Sequence, residues 1–169
     1  MQIRRLTAAD APAYRELRLR GLREHPDAFT SSHEEDAQLP LEASARRLRS
    51  ETQTFWGALD GDGTLLGVVG LERETRAKNR HKATVVGMYV APEAAGQGAG
   101  RALLEALIAT ARHEGLELLV LTVTDGNGPA ATLYERCGFR SFGVEPRAIK
   151  VDGVACGKNH MYLDLRQSP

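Results

Sequence analysis

The stretch Val85-Val-Gly-Met-Tyr-Val-Ala-Pro-Glu-Ala-Ala-Gly-Gln-Gly-Ala-Gly-Arg-Ala-Leu-Leu-Glu-Ala-Leu107 decides how the rest of the chain is read. A β-branched apolar run ends at Pro92, glycines recur at Gly96, Gly98 and Gly100, and an apolar pattern of helical period starts at once. The order is strand, loop, helix. Glycines let the loop backbone take positive φ and bring successive N–H groups close to a ligand, while the new helix adds unpaired amides and a positive dipole end. Such a loop fits an anion, above all a phosphate or pyrophosphate. The alternative is a turn that only joins strand to helix. A dinucleotide fingerprint fails, because counting from Gly96 puts Arg101 where the last glycine is needed, and the count from Gly98 fails as well. A Walker-type loop fails for want of any Gly-Lys-Ser or Gly-Lys-Thr.

At 169 residues the chain is expected to form one domain, residues 1–169, with a real core. Its 22 basic and 22 acidic residues give no net charge, so no global field attracts nucleic acid or an anionic membrane. Cys137 and Cys156 are too few for a disulfide framework and have no metal-ligand spacing, which favours reduced thiols and no metal. The N-terminus lacks an apolar signal core, and no apolar run approaches the roughly 18 residues of a membrane span. These features predict a soluble, cytoplasmic protein.

Outward from the loop, Ala83–Val90 is the preceding strand, and the helix after the glycines should run to His113, with Leu103, Leu104, Leu107, Ile108 and Ala111 inward. Leu118–Thr124 is an almost pure apolar strand, which suggests burial on both faces. The strand, helix, strand unit implies a central parallel pair with a right-handed crossover. A short helix should follow from Pro129 to about Arg136. Phe139–Arg166 reads as strands about an Asp152-Gly153 turn, with Val144, Ile149, Val151, Met161, Tyr162 and Leu163 as inward candidates.

Upstream, Gln2–Leu6 is a strand candidate, and Thr7-Ala-Ala-Asp10 is a capping pattern before a helix over Ala8–Glu24. Ala13, Tyr14, Leu17 and Leu22 form its apolar stripe, with Arg15, Arg18 and Arg23 outward. Asp27–Leu39 shows little periodicity and reads as a polar loop, either solvated or meeting a cationic acceptor. A helix over Leu41–Ser50 and a hairpin of Thr54–Leu59 with Leu65–Glu72 complete the pattern.

Two segments read together carry a resemblance. Val90-Ala-Pro92 with Ala95-Gly-Gln-Gly-Ala-Gly-Arg101-Ala-Leu-Leu104, and Asn127-Gly-Pro-Ala-Ala-Thr-Leu-Tyr134-Glu-Arg-Cys-Gly-Phe139, resemble in order and spacing the GNAT superfamily of acetyl-CoA-dependent N-acetyltransferases. The likeness spans nearly the whole chain. It implies an α/β fold whose central mixed, strongly twisted sheet has helices on both faces and parallel central strands that splay apart around the cofactor. It implies that the amides of Gly96, Gln97, Gly98, Ala99, Gly100 and Arg101 hold the pyrophosphate of coenzyme A. Met88, Tyr89 and Val90 would bond the pantetheine arm and offer a backbone N–H to the acetyl oxygen, an oxyanion-hole task. Asn127 would touch the cofactor, and Tyr134 would give the departing sulfur its proton.

There are two departures. Ala95 replaces the Arg or Gln common in the family, and the strand before the loop lacks the glutamate that some members use as base. Glu72, Glu74, Glu34, Glu35 and His81 are candidates, as is water; Glu72 ranks first because its strand should border the cleft. The resemblance implies acetyl transfer to a primary amine by direct attack in a ternary complex, since neither Cys137 nor Cys156 has the setting of an acyl-enzyme nucleophile. The acceptor stays open among small amines, amino acids or peptides, antibiotics and protein lysines. A non-catalytic acyl-CoA-binding or sensing module is the rival reading. Self-association into a homodimer, through the terminal hairpin or an edge strand, is expected by family analogy alone.

Overall fold

The computed structural model describes residues 1–166. Along the chain run β1 (Gln2–Arg5), α1 (Ala11–Glu24), α2 (His33–Gln38), α3 (Leu41–Leu48), β2 (Gln53–Leu59), β3 (Leu65–Arg73) and β4 (Lys82–Val90). Then come α4 (Ala99–His113), β5 (Leu118–Thr124), α5 (Gly128–Arg136), β6 (Arg140–Val151) and β7 (Val154–Asp164). Seven strands form one mixed sheet in the order β1-β2-β3-β4-β5-β7-β6. Only β4 and β5 are parallel, joined through α4, and they lie at the centre as expected. Among the described residues no helix is long and apolar enough to cross a membrane.

Two apolar clusters cover the two faces. One gathers Leu103, Leu104 and Leu107 of α4 with Val69, Leu71, Val85, Leu119 and Leu121 of the sheet. The other sets Tyr14 and Leu17 of α1 and Leu48 of α3 against Phe55, Val68 and Tyr89. Tyr14 meets Phe55 edge-to-face with centroids 5.3 Å apart, a geometry worth about 1 kcal/mol beyond its area.

The parallel pair is in register only over Lys82–Thr84 and Leu118–Val120. Past that point the strands part. Between Val68↔Tyr89 and Gly70↔Val86, β4 carries one more residue than β3, a bulge at whose centre Gly87 has φ 62°. A bulge flips the alternation of a strand and bends it. Val85 therefore joins the α4-side core, and so do Met88 and Val90, whereas Tyr89 is sent to the α1 side.

Several expectations are corrected. Asp27–Leu39 is not all loop: Ser32 caps α2, taking the Glu35 amide on its side chain while Glu35 returns the bond, a capping box visible in Ser32-His-Glu-Glu35. Ala13 is exposed, whereas Arg18 turns inward because Asp36 of α2 binds its Nε at 2.5 Å. In β5, Leu119, Leu121 and Val123 are buried but Thr122 is exposed, because it lies where two cavities open onto the strand. Val144 is 52% exposed because β6 is the edge strand, and of the inward candidates on β7, Met161 and Leu163 are buried while Tyr162, one residue out of phase, is only half-buried.

Candidate active site

The opening between β4 and β5 divides into two cavities that share a wall. The larger, about 970 Å³, lies between the glycine loop, the diverging strands and α5. The smaller, about 370 Å³, lies on the α1 side of the sheet, above Thr84, Val86 and Thr122. Met88, Thr122, Tyr134, Ala28 and Phe29 line both.

Gly98, in the left-handed region at φ 79°, is the N-cap of α4, so the loop turns sharply into the helix at its unpaired first-turn amides. Gly96, Gly98, Ala99, Gly100 and Arg101 line that cavity. Gln97 does not: its side chain is exposed and bonds the Glu93 carbonyl at 2.8 Å. The loop is braced from behind, where Arg20 of α1 bonds Glu93 at 2.9 Å and Glu24 at 2.8 Å, and the Tyr89 hydroxyl donates to Glu24 at 2.6 Å. Tyr89 thus spends its side chain on anchoring. Its backbone neighbours Met88 and Val90 line the large cavity, on the edge of β4 that has no strand partner past Thr84. Asn127 also lines it, with its side-chain oxygen engaged as the N-cap of α5 to the Ala130 amide at 3.3 Å.

Tyr134 packs edge-to-face on Phe139 at 5.9 Å and is only 7% exposed. Among the described residues its hydroxyl has no hydrogen-bond partner, and burial raises its pKa well above the ordinary tyrosine value. It is held protonated at the junction of the two cavities, where it can donate.

Glu72 lines the small cavity and accepts a bond from Gln53 at 2.5 Å. The other base candidates do not line it: Glu74 receives Asn79, Glu35 closes the α2 capping box, and Glu34 and His81 are exposed. Sequence reasoning missed Arg18, Arg47, Phe29 and His160, all in the small cavity. Only the capping box at Ser32 could have hinted at the fold of that side; nothing in their local sequence marks the arginines.

A large cleft beside a glycine loop, with a second cavity that meets it at Tyr134, has the arrangement of a group-transfer site. The acetyltransferase (GNAT) family model matches residues 18–139, and the chain belongs to that family of acyltransferases. It is similar to the L-methionine sulfoximine/L-methionine sulfone acetyltransferase of Pseudomonas aeruginosa, 30% identical over 134 residues covering 76% of this chain and 77% of that enzyme. Streptothricin acetyltransferase of Streptomyces lavendulae is 31% identical over 116 residues, covering 69% of this chain and 59% of that enzyme. The structure of yncA from Salmonella typhimurium with its cofactor acetyl-CoA superposes with a TM-score of 0.80 at 23% identity, covering 100% of this chain and 96% of that one.

Proposed function

We infer that the protein transfers the acetyl group of acetyl-CoA to a primary amine by direct attack in a ternary complex. The observation that carries this is the meeting of two cavities at Tyr134 and Met88. One cavity suits the thioester, the other the amine, and transfer needs them to touch. The parted strands offer backbone groups to an extended pantetheine arm, and the Gly96–Arg101 amides suit a pyrophosphate. Met88–Val90 supply the oxyanion donor and Tyr134 the proton for the leaving thiolate. Glu72 takes the proton from the attacking amine, directly or through water. Neither cysteine lines either cavity, and burial raises the Cys137 pKa, which supports direct attack over an acetyl-enzyme. Residues 1–169 act as one unit.

Calorimetric titration with acetyl-CoA, beside NAD and ATP, tests the cofactor; no acetyl-CoA binding to folded protein withdraws the reading. Thiol release with an amine panel separates an enzyme from an acyl-CoA-binding module. If Glu72→Gln leaves the pH profile of turnover unaltered, Glu72 is not the base. We also propose a homodimer through the β6–β7 hairpin, where Phe142 is 60% exposed. Sedimentation showing monomer at all concentrations rejects it.

A further inference from the structure

The relatives differ in the acceptors their names record, so the small cavity itself must indicate this chain's substrate. Its charged lining consists of Arg18, Arg47 and Glu72, with His160 at the β7 side. Both arginines have N–H groups to spare. Arg47 is half-buried, and among the described residues its one hydrogen bond goes to the Tyr14 hydroxyl at 3.3 Å. Arg18 spends Nε on Asp36 at 2.5 Å and Nη2 on Ser31 at 3.3 Å. Its Nη1 lies over the β4 bulge, 4.0 Å from where a Cβ on Gly87 would stand. That places an unspent guanidinium N–H at Gly87, the residue before Met88. A guanidinium out of bulk water with free donors is complementary to a carboxylate, which it grips through paired bonds.

The geometry points to an amino-acid acceptor: a small zwitterion whose carboxylate is received by Arg18 and Arg47 while its amine faces Glu72 and the Met88–Tyr134 junction. This rests on the acetyltransferase reading above. The cavity is bipolar in its free groups: Asp36 already answers the Arg18 charge, so the unspent N–H groups of Arg18 and Arg47 stand with the Glu72 carboxylate, as the ligand is bipolar in the opposite sense. Its volume of about 370 Å³ holds a free amino acid with room for a side chain over Phe29 and Phe55. An amine without a carboxylate would leave the free N–H groups of Arg47 and the Arg18 Nη1 without an acceptor from the substrate.

The test compares matched acceptors, the twenty L-amino acids against their C-terminal amides, by thiol release from acetyl-CoA. The amide has the less basic amine, so intrinsic reactivity favours it, and only recognition of the carboxylate reverses the order. At least one free amino acid is expected to exceed its amide in kcat/KM by about tenfold or more, the scale of a charged hydrogen bond. Arg47→Met and, separately, Arg18→Gln should collapse that ratio, a quantity insensitive to how much of the variant is folded; Arg47→Lys should restore part of it. Equal or better turnover of amides, or no turnover of any amino acid by protein that binds acetyl-CoA, overturns the proposal and leaves the acetyltransferase reading standing. Loss of acetyl-CoA binding itself removes both.

Discussion

The proton donation proposed for Tyr134 rests on what its side chain lacks. Its ring is held by Phe139, but its hydroxyl has no protein partner among the described residues, and burial keeps it protonated far into the alkaline range. Tyr134→Phe should therefore cost little stability, since no protein hydrogen bond is lost, while kcat falls by about 10² or more, the usual scale for a general acid. Thermal melts and steady-state kinetics check the pair of outcomes. Because the raised pKa leaves the phenol neutral below pH 10, deprotonation of Tyr134 should produce no fall in rate between pH 7 and about pH 10. The residue was legible in the sequence only through its place in the Asn127–Phe139 motif. The guanidinium groups of Arg18 and Arg47 were not, because which way a helical arginine faces depends on what packs against it. Arg18 was expected outward and is drawn in by Asp36, a residue 18 positions away.

At the scale of elements, β4 is the informative one. Its bulge bends the strand away from β5 and needs Gly87 in the left-handed region, where an L side chain costs about 1–2 kcal/mol. Gly87→Ala should lower stability by that amount in a denaturant titration and weaken acetyl-CoA binding in calorimetry. The start of α1 offers a pH-dependent case. Asp10 takes two bonds from Arg4, at 2.7 and 2.9 Å, and one from the Thr7 amide, and the arginine beside it first, then the amide, lower its pKa to about 2. A folded pKa below the unfolded value near 3.9 gives stability that is complete above that value and lost as pH falls toward about 2. Discounted for the solvent around Arg4, the contribution is about 1 kcal/mol. Melts of wild type and Asp10→Asn at pH 6 and pH 2 should differ at the first and converge at the second. Strands bounded by turn residues and the helix after the glycines were readable to within a residue or two, whereas the first helix begins at Ala11 rather than Ala8. The bulge was not, since nothing in Val85-Val-Gly-Met-Tyr-Val90 says where β3 will shift register.

For the whole molecule, the cleft depends on contacts between residues far apart in sequence. Lys158 of β7, 5% exposed, donates from Nζ to the Asp27 carbonyl at 2.8 Å, and Thr124 of β5 donates to the same oxygen at 2.7 Å. Burial lowers the Lys158 pKa. These bonds tie the α1–α2 connection across β5 and hold Ala28 and Phe29 in the wall shared by both cavities. Lys158→Met should raise the KM for the acceptor by about tenfold, the scale of a lost charge-assisted bond, with kcat nearly unchanged. A fall in apparent kcat in proportion to lost folded protein, with KM unchanged, would show the role to be structural only.

Local chemistry in the sequence was enough for the α/β class, the central parallel pair, the glycine turn into α4 and the two motifs that mark the family, because propensity, hydrophobic period and glycine geometry act over a few residues. Tertiary structure alone decided where β4 and β5 part, that Tyr134 stands at the junction of two cavities, and that Arg18, Arg47 and Glu72 line the smaller together. Those outcomes follow from strand register and helix packing between distant segments, which no short stretch of sequence encodes by itself.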